Sequence, residues 1–382
     1  MVLILTYLSV FLVSPPLYVN NYARLLAILF SVLAFTKFRN LNKLNAVSIL
    51  FVITLITNLI LNNKLHLVKQ HFALMIFVMM MNLLFHVIKK DSEILRIPVI
   101  ATLIVTPIWN TLTLIEFTRI PNLARLLAGN GLADEFYYAS RGVAGYGLVY
   151  SVVLIPVAII TFASIDRQSS KKMRLLFVVN VSSAVLVLIK AGYFIAILSF
   201  LISVCIYLLS KLKKNRLQFF SVALLVIILF VSFGNSVEGI LLDITEDTMF
   251  HNKIVSIFNS KNQGEMTGPL YERVVRYEKS IETFIENPIS GNYYGAGGHS
   301  TLLDIFARFG IISGVLFVLQ IYYFVKVIYS FKGQKIEALR DSLIFYFLFI
   351  MILNNISFSM GTLFFVVVPY IIISGGKLNA LT

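Results

Sequence analysis

The chain has 382 residues and a formal net charge of +14, and 58% of its residues are hydrophobic whereas only 13% are charged. Soluble globular proteins average about 45–50% apolar and about 25% charged residues, so this composition excludes an ordinary soluble domain. Apolar stretches near the length of a membrane-crossing helix recur along the chain, whereas the alternating pattern of a membrane barrel is absent from the sequence. We therefore predict an all-α, polytopic membrane protein that forms a single integral membrane domain over residues 1–382.

The N-terminal segment MVLILTYLSVFLVSPPLYV has neither a basic start nor a cleavage site of small residues, which predicts an uncleaved first helix. From there we predict about twelve transmembrane helices, the first of them interrupted by Pro15 and Pro16. They cover residues 2–19, 22–37, 45–61, 70–88, 96–115, 143–164, 175–189, 191–210, 217–234, 301–326, 341–357 and 360–376. The only cysteine, Cys205, lies inside one of these segments, which excludes an intramolecular disulfide and a thiolate metal cluster.

Short basic connectors such as KFRNLNK and KLKKNR separate many of these helices. Placed on one side of the membrane together with both termini, they account for the whole positive charge, as the positive-inside rule requires. That side is then cytoplasmic. Because the charge is divided among short connectors that flank helices, it does not favour nucleic acid as a partner.

Two connectors on the opposite, outer side are too long to be turns, and they cover about 116–142 and 235–300. Loops of this length commonly carry function. The second loop contains YERVVRYEKSIETFIEN, whose amphipathic pattern predicts a helix that ends at Asn287–Pro288.

Both outer loops carry arginine side chains, Arg125 and Arg141 on the first and Arg273 and Arg276 on the second. The latter two are three positions apart and therefore project from one side of the predicted helix. Guanidinium groups at a membrane surface suit a phosphate or carboxylate partner, and structural pairing with neighbouring acidic residues is an equal alternative. Aromatic pairs occur on the same loops and suit either packing on sugar rings or anchoring at the interface: Tyr137–Tyr138 and Tyr293–Tyr294.

A glycine-rich hinge containing a histidine, GNYYGAGGHSTLLD, precedes the tenth predicted span. Thr301 and Asp304 resemble a capping box, which predicts that this helix begins just after His299. The exposed N–H groups and the helix dipole then favour an anion at this end. A helix end that binds anions lowers the pKa of a nearby imidazole while no anion is bound. His299 would then be neutral and able to accept a proton. The alternative is an interfacial histidine in a flexible loop.

Asp304 and Arg308 lie four positions apart inside the predicted span, where an unpaired charge is costly. We predict that they form an ion pair, and a role of Asp304 in orienting His299 is the alternative. The other histidines show no metal-ligand spacing, and the glycine-rich hinge lacks the G-K-[ST] signature of a nucleotide-binding loop. No metal site is predicted.

These residues resemble the C-terminal signature of the Wzy/O-antigen ligase superfamily. The resemblance comprises Arg273 with Tyr277 four positions later, where tryptophan is usual, the Pro288-x-x-Gly291 turn, and His299 before a membrane helix with small residues. The first-loop string SRGVAGYGLVYS is similar to the family's first arginine motif, in which it supplies Arg141.

The resemblance implies a metal-independent, inverting glycosyltransferase of the GT-C type without a cofactor. Its substrate would be a glycan linked to undecaprenyl diphosphate, on the periplasmic or outer face of the cell inner (cytoplasmic) membrane. His299 would be the general base toward an acceptor hydroxyl, and Arg273, Arg276 and Arg141 would hold the diphosphate. Further side chains would contact the substrate: Arg125, Tyr277, Tyr293, Tyr294, Asp304 and Arg308.

Within this family we expect a polymerase that joins O-antigen, capsule or exopolysaccharide repeat units at the non-reducing-end hydroxyl of a lipid-linked acceptor. An O-antigen ligase acting on lipid A-core, a capsule or teichoic-acid attachment enzyme, and a lipid-linked oligosaccharide transporter stay open as alternatives. Membrane lipids are expected partners, and the resemblance also raises a chain-length regulator and a flippase.

Overall fold

The computed structural model describes residues 2–37, 43–61, 92–120, 123–129, 137–143, 171–193, 268–330 and 334–354, together with isolated residues and short pieces between them. Every secondary-structure element among these residues is helical, as predicted. The helices are α1 (Val2–Val13), α2 (Pro15–Val19), α3 (Asn21–Lys37), α4 (Lys43–Leu61), α5 (Arg96–Arg119), α6 (Leu123–Gly129), α7 (Lys171–Ala191), α8 (Gly268–Glu286), α9 (Thr301–Ser330) and α10 (Gln334–Leu353).

Within the described residues, three helices are long and apolar enough to cross a membrane, over Arg96–Arg119, Arg174–Ala191 and Thr301–Tyr329. They coincide with three of the predicted spans. The first predicted span is divided at Ser14, just before two prolines, into α1 and α2. Four other predicted spans lie wholly or largely outside the described residues, 70–88, 143–164, 217–234 and 360–376, and half of the span 191–210 does.

The helices pack in two neighbourhoods. Helix α5 contacts α1 and α7, whereas α9 contacts α4, α8 and α10. Tyr346 of α10 is fully buried, and its hydroxyl donates a hydrogen bond to the Tyr150 carbonyl. The ring of Tyr150 stacks on the ring of Tyr193. The candidate site lies in the second neighbourhood, where α8 and α10 both reach the beginning of α9.

A polar contact between α5 and α7 compensates for a proline inside α5. Pro107 has no backbone N–H, so the Leu103 carbonyl one turn earlier loses its intrahelical donor. The buried Asn180 side-chain amide of α7 donates to that carbonyl at 2.7 Å and to the Leu176 carbonyl at 2.9 Å. Asn180 therefore satisfies a backbone group that would otherwise be unpaired between two candidate membrane spans.

We expect Asn180→Ala to lower the free energy of unfolding by about 1–3 kcal/mol, because a buried carbonyl is left unsatisfied. In a Pro107→Ala background the helix regains its own donor, so the same substitution should cost less. Thermal unfolding in detergent of the two single variants and the double variant measures this coupling. Asn110→Ala, which removes a bond to the Ser183 hydroxyl at 3.1 Å, is the matched control. Strictly additive effects would show that Asn180 does not repair the proline site.

Helix α9 is broken at Gly310, which has φ 74° and ψ −176°. The intrahelical bond from the Ile311 N–H to the Ala307 carbonyl is replaced by two bonds to the preceding loop. Ile311 donates to the Pro288 carbonyl at 2.8 Å, and the Asn292 N–H donates to the Ala307 carbonyl at 2.7 Å. The break thus divides α9 into a short N-terminal half, Thr301–Gly310, and a longer half that continues to Ser330. We call the short half the outer half, after the side of the membrane on which the sequence predicts it.

Helix α4 secures the same break from the other side. The Asn58 side-chain amide donates to the Phe309 carbonyl, and the Ser313 hydroxyl donates to the Thr54 hydroxyl at 3.2 Å. The backbone groups around the break are therefore bonded within the protein, which fixes the loop that carries His299.

Candidate functional site

The candidate site is built on a hairpin of α8, the outer half of α9 and the segment 287–300 between them, which we call the hinge loop. Helix α8 ends at Glu286, immediately before Asn287–Pro288, so the predicted end of the amphipathic helix is confirmed. The two helices pack side by side, with the Phe284 and Phe306 ring centroids 5.6 Å apart.

Asp304 is the centre of a buried hydrogen-bond network that joins the three parts of the hairpin. The side chain is 4% exposed, and its Oδ1 accepts a bond from the Ser280 hydroxyl of α8 at 2.8 Å. The same oxygen accepts the Gly298 N–H at 3.1 Å, and the Gly297 N–H donates to the Ser280 hydroxyl oxygen at 2.8 Å. Asp304 and Ser280 therefore fix the two glycines that precede His299.

Close contact between the hinge loop and α8 explains why glycine occupies position 297. A Cβ at Gly297 would overlap the Arg276 carbonyl, and one at Gly295 would overlap the Thr283 side chain. The Thr283 hydroxyl also donates to the Gly295 carbonyl at 2.8 Å. The loop thus lies directly on the backbone of α8, closer than any side chain would permit.

The beginning of α9 is capped by Ser300, whereas the sequence predicted Thr301. The Ser300 hydroxyl accepts the Leu303 N–H at 3.3 Å, and its carbonyl accepts the Asp304 N–H at 2.8 Å. Thr301 instead donates both its N–H and its hydroxyl, each at 3.2 Å, to the Asn354 carbonyl after α10. Because the N–H groups of Thr301, Leu303 and Asp304 are bonded within the protein, the prediction that this helix end offers free N–H groups to an anion is wrong for these three groups.

The predicted ion pair between Asp304 and Arg308 is also wrong. The Asp304 carboxylate faces Ser280 and Gly298, whereas the Arg308 guanidinium carbon lies 5.4 Å from the centroid of the Tyr293 ring. Buried Asp304 Oδ2 and Arg308 Nε have no hydrogen-bond partner among the described residues. The geometry favours the alternative role of Asp304, which is to position the His299 segment.

His299 is half-buried and presents one ring nitrogen for proton transfer. Its Nδ1 lies 3.0 Å from the Gly298 carbonyl, which only accepts hydrogen bonds, so Nδ1 carries the proton in the neutral ring. Nε2 is then the basic nitrogen, and no described group forms a hydrogen bond with it. In this tautomer the neutral ring can accept a proton at Nε2, as a general base does.

The surroundings of His299 lower its pKa below the ordinary value of 6.5. Burial is the largest cause, since it disfavours the charged imidazolium, and the nearby charges of Arg276 and Arg273 act in the same direction. The hydrogen bond to the Gly298 carbonyl and the charge of Asp304 oppose the shift without cancelling it. His299 is therefore neutral at physiological pH, as the sequence predicted, although burial is the main cause.

Arg276 lies beside His299, with 3.4 Å between its Nη1 and the histidine Nδ1. Both nitrogens carry hydrogen in this state, so the contact is electrostatic and is not a hydrogen bond. The Arg276 side chain is exposed, and no described carboxylate pairs with it. Its guanidinium is thus able to bind an anion that approaches His299 from solvent.

Arg273 and Tyr277 of α8 have a structural role at the end of α10. The Arg273 Nη1 donates to the Leu353 carbonyl at 3.3 Å, and the Tyr277 hydroxyl donates to the same carbonyl at 2.7 Å. This carbonyl belongs to the last turn of α10, where carbonyls lack intrahelical donors and a cation is favourable. Arg273 therefore makes a structural contact with α10, whereas the structural alternative from the sequence was pairing with acidic residues.

The other predicted residues are divided between two places. Tyr293 and Tyr294 of the hinge loop form an edge-to-face pair at 5.3 Å, and Tyr293 also contacts Arg308 of α9, so these three residues lie together. Arg141 stacks on Tyr137 at 4.8 Å, and no described contact joins it to the His299 cluster. The Arg125 side chain lies outside the described residues.

Ser280, Asn354 and the break at Gly310 position the site, and the sequence alone did not single them out. A small polar residue in the middle of an amphipathic helix was the available signal for Ser280. Gly310 stands alone in an apolar run, which is a recognised signal for a close backbone approach.

The chain matches no protein-family model and no curated protein.

We expect Asp304→Ala to loosen the hinge loop more than Asp304→Asn does. Alanine leaves the Ser280 hydroxyl and the Gly298 N–H without an acceptor, at about 1–3 kcal/mol for each buried group. Asparagine keeps an oxygen at the Oδ1 position and removes only the charge. Amide hydrogen exchange of a peptide covering 291–300 measures the loosening. Equal exchange in the two variants would show that the Asp304 charge, and not its acceptor geometry, orders the loop.

Proposed function

We propose that this chain is a polysaccharide polymerase of the inner membrane, with about twelve spans, two outer loops and cytoplasmic termini. It transfers a glycan from undecaprenyl diphosphate to the non-reducing-end hydroxyl of another lipid-linked repeat unit. One observation carries the proposal: the exposed guanidinium of Arg276 lies beside the ring of a neutral His299 whose Nε2 is unblocked, at the start of a candidate membrane-spanning helix.

In the proposed step, the acceptor oxygen attacks the anomeric carbon of the donor while His299 Nε2 takes the hydroxyl proton. A new glycosidic bond forms as the bond from the anomeric carbon to the phosphate oxygen breaks. Undecaprenyl diphosphate leaves with the bonding electron pair, and the anomeric configuration is inverted. The charge that grows on the leaving oxygen is where a guanidinium contributes most.

Arg276 is the best-supported arginine for this electrostatic role, because it is exposed and adjoins the base. Arg273 contributes its charge from one turn away while it holds α10. Arg141 belongs to the proposal through its motif in the first outer loop, and Tyr293 and Tyr294 offer ring faces for sugar packing. The lipid tail would remain in the bilayer beside the spans.

Deleting the gene and analysing the surface glycan and its lipid-linked precursors tests the function. A single repeat unit on the acceptor core supports the polymerase. Undecaprenyl-linked polymer with a bare core would instead identify a ligase. Repeat units confined to the cytoplasmic leaflet would identify a transporter.

Arginine variants test the diphosphate contact. We expect Arg276→Ala to lower turnover by about 10²-fold, as the loss of one preorganised donor does, and Arg276→Lys to retain part of it. Incorporation of radiolabelled repeat units in isolated membranes measures the rate. Lys279→Ala, an exposed cation on the same helix, is the matched control. If Lys279→Ala and Arg276→Ala reduced turnover equally, the contact would be nonspecific surface charge.

A further inference from the structure

Helix α8 buries polar side chains against the rest of the protein and leaves several large apolar side chains exposed. The side chains that it buries are the polar Ser280 and Thr283, which are 1% and 6% exposed. Phe284 packs on α9, but four other large side chains are exposed, Tyr271 at 51%, Val275 at 40%, Ile281 at 44% and Ile285 at 68%. On the helix surface these four alternate with the exposed Glu278, Glu282 and Glu286. Exposed isoleucines beside charged side chains, on a helix whose buried face is polar, are typical of a helix that lies at the interface of a membrane.

The exposed apolar surface continues from α8 onto the longer half of α9. Ile289 is 72% exposed in the turn of the hinge loop, and a Cβ at Gly310 would overlap its carbonyl, so the turn rests on the helix break. Immediately beyond the break, Ile311 and Ile312 are exposed at 45% and 53%. Val315 and Val318 extend this apolar surface along the candidate span.

The length of α9 places the membrane boundary near the break. The apolar stretch Thr301–Tyr329 has 29 residues, or roughly 43 Å of helix, whereas the hydrocarbon core is about 30 Å thick. The part from Ile311 to Tyr329 is roughly 28 Å long and matches the core by itself. It ends with exposed Tyr322, Lys326 and Tyr329, the residue types that anchor a helix at the opposite interface. The charged outer half with Asp304 and Arg308 therefore lies beyond the hydrocarbon.

We infer that the hairpin rests on the bilayer surface, where membrane lipid covers its exposed apolar side chains. The hairpin comprises α8, the hinge loop and the outer half of α9. Ile285 and Ile289 enter the boundary of the acyl chains, and the polar face of α8 holds the Asp304 network away from them. His299 is then up to about 15 Å from the boundary, since ten residues of helix separate it from Gly310. This inference concerns membrane contact and holds whatever reaction the site performs.

Site-directed spin labelling tests the contact in the full chain. Cys205 is replaced by serine, and single cysteines replace Ile285, Ile289 and the exposed Lys279, which lies about 120° around α8 from Ile285. The labelled proteins are placed in vesicles of phosphatidylethanolamine and phosphatidylglycerol. Collision of the label with oxygen, which concentrates in lipid, is compared with collision with a water-soluble nickel chelate.

We expect labels at 285 and 289 to favour oxygen severalfold over the nickel chelate, and the label at 279 to favour the chelate. Chelate contact at all three positions would overturn the inference, because the apolar face would then be in water. Labels at 285 and 289 that meet neither reagent would also overturn it, since a second copy or another protein would cover the face.

A second measurement avoids the labels. In a Trp109→Phe background, which removes the only tryptophan, Ile289→Trp is expected to be quenched by lipids brominated on their acyl chains. Lys279→Trp should be quenched much less. Equal quenching of the two variants would contradict the placement, and comparable folding of both is checked by monodispersity after extraction.

Discussion

Replacing His299 by glutamine is expected to lower the rate of glycan transfer by about 10²–10⁴-fold, the usual contribution of a general base. Glutamine is polar and of similar length, but it cannot take a proton from the acceptor hydroxyl. The loss should appear in the rate of the chemical step and leave donor binding nearly unchanged. Single-turnover incorporation of a radiolabelled repeat unit, with donor binding measured separately, distinguishes the two effects.

The pH dependence of transfer gives an independent check of this assignment. Since the pKa of His299 lies below 6.5, the neutral base persists into mildly acidic solution and the acidic limb of the rate profile should lie below 6.5. Arg276→Gln removes a nearby positive charge, so it should raise the pKa and move the limb to higher pH. An acidic limb that stays unchanged in Arg276→Gln would separate His299 from the rate-determining proton transfer.

The same shift has a defined sign for stability. The unfolded chain holds the histidine proton more tightly than the folded protein does, because the folded pKa is the lower of the two. The contribution of His299 to the free energy of unfolding is therefore fully present above pH 6.5 and falls as the pH drops toward the folded pKa. His299→Gln should remove this part of the acid sensitivity.

Gly310→Ala is expected to destabilise the hairpin by about 2–6 kcal/mol, the sum of backbone strain at positive φ and of steric overlap. The added Cβ would overlap the Ile289 carbonyl, so the hinge loop would have to move off α9. The bonds from Ile311 to Pro288 and from Asn292 to Ala307 would be lost with it. Thermal unfolding in detergent and hydrogen exchange of the hinge loop measure the effect.

Gly298→Ala separates the two causes. Gly298 has a similar φ of 80°, but a Cβ there would have nothing within 4 Å, so only the strain of about 1–3 kcal/mol applies. The difference between the two variants is then the steric contribution of the helix break. If both variants were destabilised equally, the contact between the loop and the break would not hold the hairpin together.

The sequence predicted the features of this site that depend on neighbouring residues better than those that depend on residues far apart in the chain. The end of α8 at Glu286 followed from Asn287–Pro288, and the start of α9 was placed within one residue. The neutral state of His299 was predicted, although the helix end was given as its cause and burial is the larger one. The pairing of Asp304 with Arg308 failed, because Ser280 and Gly298 compete for the carboxylate from a neighbouring helix and loop.

By itself, the sequence determined the helical class, the end of α8 and, within one residue, the start of α9, since hydrophobic periodicity, proline and capping act over a few neighbouring positions. Only the tertiary structure decided that Arg273 holds the Leu353 carbonyl, that Arg276 is left exposed beside the imidazole, and that α9 breaks where the loop enters. Such partners are tens to hundreds of positions apart in the chain. Which residues become partners depends on which buried polar groups come into contact when the helices pack. Local periodicity carries no information about such long-range contacts.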